Sequence, residues 1–172
     1  QQWWWEIDYP TQEGCGAGID EPIITSGQMV IPVGTPVLVR GTSRDVIHSW
    51  WIPRLNGKRD MVPGRVHTNR IEADEPGIYA GQCTEFCGLS HANMRIRAVA
   101  LSPDDFDEWV ANQQNEAATP NAGTPAAGGL EVFTNRGCVA CHAVRGLDDP
   151  VDVPLVAGAA PNLTHLMTRT TF

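Results

Sequence analysis

The stretch CTEFCGLSHANM, residues 83–94, puts two thiols, a carboxylate, an imidazole and a thioether on one short loop. Its spacing constrains the fold more than any other feature of the chain. Cys87 follows Cys83 by four positions, His91 follows Cys87 by four, and Met94 comes three later. Gly88 and Ser90 bend the chain between them. Three chemistries would use the cluster: a local disulfide, half of a zinc site, or a copper site.

From Ile23 to Leu101 the chain reads as strands. The segments MVIPVGTPVLV, DVIHSWWIP, RVHTNRIEA, GIYAGQC and MRIRAVAL are rich in Val, Ile, Tyr and Trp, and Gly, Pro, Asn and Asp punctuate them. MRIRAVAL alternates polar and apolar residues after Met94, as a half-buried strand does. Short strands at this spacing predict an antiparallel sandwich or barrel. Pro32 and Pro36 predict an edge strand or bulge between them. SPDDFDEWVANQQ breaks the pattern: Ser102 suits an N-cap, Pro103 the first helical position, and Asp105 completes an S-x-x-D box. A short helix is expected to close the first domain at residue 114. Residues 115–129, NEAATPNAGTPAAGG, read as a flexible, partly extended linker. A second unit is expected over 130–172.

The bulk properties narrow the function. The net charge of −8 over 172 residues argues against nucleic acid as a partner. Acidic runs at 72–75, 104–108 and 148–152 are either solvated faces or a surface that steers a basic protein. No apolar run approaches the ~20 residues that span a bilayer. The abrupt opening QQWWWEIDYP and the ending THLMTRTTF predict a piece of a longer protein. Four of the five cysteines form two tight pairs, each with a nearby His, which favours metal or cofactor chemistry over a disulfide framework. Cys15 is left over as a loop thiol, and His67 belongs to no motif.

Thiolates are soft ligands for copper or zinc, whereas a thioether is a poor zinc ligand and a familiar weak axial ligand of copper. Met94 therefore tilts the loop toward copper, and two cysteines could bridge two coppers. A second imidazole must come from elsewhere. His48, 35 residues before Cys83 and beside Trp50 and Trp51, is the natural choice, though a lone buried His is also commonly a satisfied core residue.

These runs together resemble subunit II of haem-copper cytochrome c oxidases: D-V-I-H-S-W, the later P-G-R (63–65), G-I-Y-A-G-Q-C-T-E-F-C-G-L-S-H-A-N-M and the opening Q-W-W-W. The resemblance covers about residues 1–101. It implies a mainly β, cupredoxin-like Greek-key β-sandwich carrying the dinuclear copper centre CuA. The implied ligands are His48, Cys83, Cys87, His91, Met94 and the backbone carbonyl of Glu85, with both thiolates bridging. It also implies that the Glu85 side chain meets a magnesium ion at the contact with subunit I, and that electrons enter at Trp3.

Cys138-Val-Ala-Cys141-His142 is C-x-x-C-H, in which two thiols add to haem vinyl groups and the His binds iron. A zinc site would want a further ligand pair, and a thioredoxin-like motif a βαβ setting; neither follows. Phe133 and the residues before it resemble the first helix of a class I cytochrome c, and Pro161-Asn162-Leu163 the segment whose Pro carbonyl supports the proximal His. The second unit is thus expected to be a partial, all-α cytochrome c domain. Met167 lies 25 residues past His142, early for an axial ligand. Neither it nor His165 is expected in that role, which is assigned to residues beyond this chain.

A copper domain followed by a haem c domain resembles the oxidase type in which a cytochrome c is fused to subunit II. That implies a membrane-anchored parent on the outer face of a bacterial plasma membrane, with subunit I and a cytochrome c or other donor as partners. It implies oxygen reduction and proton pumping in the complex, the oxygen site lying outside this chain. The rivals are the CuA domain of a nitrous oxide reductase, a copper chaperone and a structural zinc module. The first does not account for the P-G-R run or the haem motif, the second does not explain the haem motif, and Met94 argues against the third.

Overall fold

The structure is a computed structural model that describes residues 1–11, 18–19, 22–145 and 160–170. Cys15 and the acidic run 148–152 lie outside the described residues.

Residues 1–101 form three groups of strands. β1 (Glu6–Tyr9) pairs antiparallel with β2 (Ile23–Ser26). β4 (Val37–Gly41) pairs antiparallel with β7 (His67–Ile71). The largest sheet has five strands in the order β3 (Gln28–Pro32), β9 (Arg95–Leu101), β8 (Gly77–Cys83), β5 (His48–Trp51) and β6 (Arg59–Met61). Pro32 ends β3 at the sheet's edge, where its missing N–H costs no ladder bond. β4 starts after Pro36 in a different sheet, so the two prolines separate two strands.

One pairing departs from the antiparallel expectation. β3 and β9 run parallel, with Val30 opposite Val99. The first and last strands of this sheet are neighbours, and the intervening strands provide the long crossover that a parallel pair requires.

The core follows from alternation. Ile96, Ala98 and Ala100 of β9 point inward, while Arg97 and Val99 between them are half-buried. They pack with Trp5, Ile31, Trp50, Ile52 and Ile71, and Cys83, Cys87 and Met94 belong to the same cluster. Each fully buried Ile contributes about 1.5–3 kcal/mol, so the 83–94 loop is anchored in the larger of the two cores. At Gly81, in β8, a Cβ would meet the Trp51 carbonyl, so the strands approach this closely only because the residue is glycine.

α1 (Pro103–Gln113) begins as its sequence indicates. The Ser102 hydroxyl accepts from the Asp105 N–H at 3.2 Å, and Asp104 and Asp105 lie at the positive end of the helix dipole. Val110 packs with Ile19 and Ile23 in a small second core, and Tyr9 and Trp109 meet at 5.1 Å beside it. α2 (Pro125–Asn135) begins inside the stretch read as linker. Thr124 caps it by accepting from the Ala127 N–H at 3.3 Å, and Pro125 opens its first turn. Among the described residues no helix is long and apolar enough to cross a membrane.

Candidate metal centre

β8 ends at Cys83 and β9 begins just after Met94. These strands pair antiparallel up to Gln82 and Arg95, and the Cys83 N–H donates to the Met94 carbonyl at 2.9 Å. The ladder thus clamps both ends of the 83–94 loop. β5 lies on the other side of β8, with Trp50 opposite Cys83. His48 is two residues from Trp50 and therefore on the same face of β5.

The side chains converge. The Cys83 and Cys87 sulfurs are 3.9 Å apart. Cys83 Sγ is 3.9 Å from His48 Nδ1 and 3.2 Å from the Glu85 carbonyl oxygen. Cys87 Sγ is 3.5 Å from His91 Nδ1 and 3.8 Å from Met94 Sδ. Each sulfur therefore faces one imidazole and one weaker donor, and the sulfurs face each other. Metal–thiolate bonds of ~2.3 Å give a tetrahedron edges of about 3.7 Å, the scale of these separations. Both thiols are free, and a disulfide would need sulfurs about 2.05 Å apart. Among the described residues, His48, Cys83 and Cys87 are the one group of three such ligands within 4.8 Å of one another.

The electrostatics suit a cation. Burial, and then the neighbouring Cys83, push the Cys87 thiol up to about 11. Two adjacent buried thiolates repel, and a metal ion between them offsets that cost. Burial also lowers His48 against the opposing pull of Asp45, which favours the neutral imidazole that metals bind.

Asp45 is the functional residue that the sequence reading missed. Its Oδ1 accepts from His48 Nε2–H at 2.7 Å, which fixes the tautomer and leaves the Nδ1 lone pair facing Cys83. Burial alone would raise this carboxyl, but the bonds from His48 and from the Val46 and Gln2 amides hold it at about 2. A carboxylate three residues before the His was the available signal.

The N-terminal segment closes over the loop. Trp3 Nε1–H and Gln2 Nε2–H both donate to the Cys87 carbonyl, at 3.0 and 2.8 Å. Gly88 makes this seat: its φ is +116°, and a Cβ there would come within 3.1 Å of the Trp3 ring. Trp5 meets the His48 ring edge-on at 6.1 Å. On the outside of the loop Glu85, Phe86 and Leu89 are exposed, Leu89 at 99%. His67 is half-buried on β7, and its Nε2 has no partner among the described residues.

The second cluster is assembled separately. Cys138–Ala140 form a tight turn after Gly137, whose φ is +75°. Cys138 and Cys141 are free thiols. His142 Nδ1–H donates to the Pro161 carbonyl at 2.7 Å, leaving Nε2 for a metal. Met167 is 93% exposed. His165 Nε2 is engaged by the carbonyls of Gln113 and Asn115.

Comparison with known proteins gives this geometry a family. The family described as "Cytochrome C oxidase subunit II, periplasmic domain" matches residues 1–101. Cytochrome c oxidase subunit 2 of Alkalihalophilus pseudofirmus is 43% identical over 145 residues, covering 84% of this chain and 40% of that protein. The same subunit of Bacillus sp. strain PS3 is 36% identical over 98% of this chain and 45% of its own length. The chain thus spans less than half the length of these curated relatives. Among solved structures, the periplasmic domain of subunit II of cytochrome oxidase (CoxB) of Bradyrhizobium japonicum superposes with a TM-score of 0.56. That match is 29% identical and covers 66% of this chain and 87% of that one. It makes the β-domain cupredoxin-like, and together with the match over residues 1–101 it shows that the chain belongs to the family of the periplasmic domain of cytochrome c oxidase subunit II.

Proposed function

We propose that the chain is the electron-transfer part of subunit II of a bacterial terminal oxidase. Residues 1–114 form its copper domain, 115–129 its linker and 130–172 a haem c unit of the class I cytochrome type. Electrons pass from a donor through haem c and a dinuclear copper centre to subunit I, where oxygen is reduced and protons are pumped. The parent is anchored in the plasma membrane, with these domains on its outer face.

The observation that carries the reading is the two-sided donor set around the facing sulfurs of Cys83 and Cys87. His48 and the Glu85 carbonyl serve one side, and His91 and Met94 the other. Bound copper supplies a one-electron couple shared by two metals. The protein supplies the rest. Asp45 holds His48 in its ligand tautomer, the strand pair fixes the loop, and Trp5 and Trp50 keep the inner face dry. Trp3 bonds directly to the backbone of a ligand, which suits it as the point where electrons enter. The exposed Glu85 side chain is free to meet magnesium at the subunit I contact. The free Cys138 and Cys141 thiols and the open Nε2 of His142 fit covalent haem c, which adds a second one-electron couple.

Metal content tests this reading. The chain is made in a host that attaches haem c, loaded with copper, and analysed for copper and covalent haem per chain. The expected result is two coppers and one haem, with paired copper lost in Cys87→Ser. One copper per chain in the unaltered protein would contradict the bridged site.

A further inference from the structure

The C-terminal residues make contacts that neither cofactor requires. The carbonyl of Gln113, the last residue of α1, and that of Asn115 two residues on lie at the negative end of its dipole. Two basic side chains from the second unit converge on them. Arg145 Nη2 donates to Gln113 at 3.1 Å and to Asn115 at 3.3 Å. His165 Nε2 lies 3.2 and 3.1 Å from the same two oxygens. The Ala117 N–H donates to the Arg145 carbonyl at 2.9 Å, tying the chain just after α1 into the same junction.

A second anchor sits on the edge of the large sheet. Gln28 and Arg97 are opposite each other in the β3–β9 register. Gln28 Oε1 accepts from the Thr170 N–H at 3.0 Å, and Arg97 Nη1 donates to the Thr170 carbonyl at 2.8 Å. The segment between the anchors carries Pro161, the acceptor for His142, and its Leu163 N–H donates to Ala143 at 2.8 Å. One stretch, 160–170, therefore touches the C-x-x-C-H histidine, the end of α1 and the sheet edge.

We propose that residues 160–170 are a docking strap, and that the carboxyl end of α1 with Gln28 and Arg97 is the surface it fits. The strap holds the C-x-x-C-H unit against the β-domain in one orientation, so the unit does not swing freely on residues 115–124. The strap does not depend on either cofactor. Its consequence, a fixed geometry between haem and copper, rests on the function proposed above.

Hydrogen–deuterium exchange on the full chain tests this with and without metals, so failure of copper loading and failure of the strap are separable. The informative amides are those of Ala117, Leu163 and Thr170. In the unaltered chain they are expected to exchange at least about tenfold more slowly than in an unstructured peptide. The pair Arg145→Met and His165→Phe removes the donors at the α1 end, and Gln28→Ala removes the sheet anchor separately. Each is expected to accelerate exchange at these amides about tenfold while β8 and β9 stay protected. Peptide-like exchange in the unaltered chain overturns the proposal, as does unchanged protection in both variants.

Discussion

Replacing Asp45 with alanine should weaken copper binding about 10- to 30-fold without unfolding the protein. The carboxylate accepts from His48 Nε2–H at 2.7 Å and is the one hydrogen-bond partner observed for that nitrogen. A hydrogen bond to a charged group contributes about 1.5–3 kcal/mol, or roughly 10- to 150-fold in affinity. The lower part of that range applies, because the Asp45 side chain is 29% exposed and water can take over part of its role. Asp45→Asn keeps an acceptor oxygen but loses the charge, and should cost less than about tenfold. The assay is competition for copper against a chelator of known affinity, with melting of the metal-free protein as the control for folding. Affinity in Asp45→Ala equal to that of the unaltered protein would refute the argument that the carboxylate presents Nδ1 to the site. Equal losses in Ala and Asn would locate the effect in charge rather than in the hydrogen bond.

Other substitutions test the frame. Gly88→Ala puts a Cβ within 3.1 Å of the Trp3 ring at φ +116°, so it should cost about 1–3 kcal/mol and lower Tm by several degrees. An unchanged Tm would mean that Trp3 is not seated there. Ser102→Ala removes the α1 cap and should cost about 0.5–2 kcal/mol in urea unfolding. Burial, opposed only in part by the bond to Val30, raises the Tyr9 phenol above its ordinary range near 10. The unfolded chain then releases this proton first, so the contribution is complete below about pH 10 and falls as pH rises beyond it. Tyr9→Phe should flatten the alkaline limb of the stability profile measured by denaturant titration, and an unaltered limb would exclude Tyr9 as its source.

Local pattern made much of the fold legible. The alternation in MRIRAVAL became β9, and the Ser102-Pro103 signal became the start of α1. The 83–94 loop was legible because its residue types are rare in combination and lie within twelve residues of chain. What stayed hidden was non-local. Nothing in the β3 sequence says that its neighbour is β9, some seventy residues on and parallel. A helix was expected just before Phe133, but its start at the Thr124-Pro125 cap was masked by Gly128 and Gly129, which count against a helix. Asp45 looked like one more surface acid, because its role depends on where the His48 ring points. The hydrogen bonds of Arg145 and His165 join residues 30 to 52 positions apart, and no periodicity announces them.

The central claim is that Cys83 and Cys87 bridge two coppers. An electron paramagnetic resonance spectrum of the oxidised, copper-loaded protein tests it most directly. One unpaired electron shared by both metals should show hyperfine splitting from two equivalent copper nuclei. Splitting from a single copper nucleus, or zinc bound with no copper signal, would contradict it.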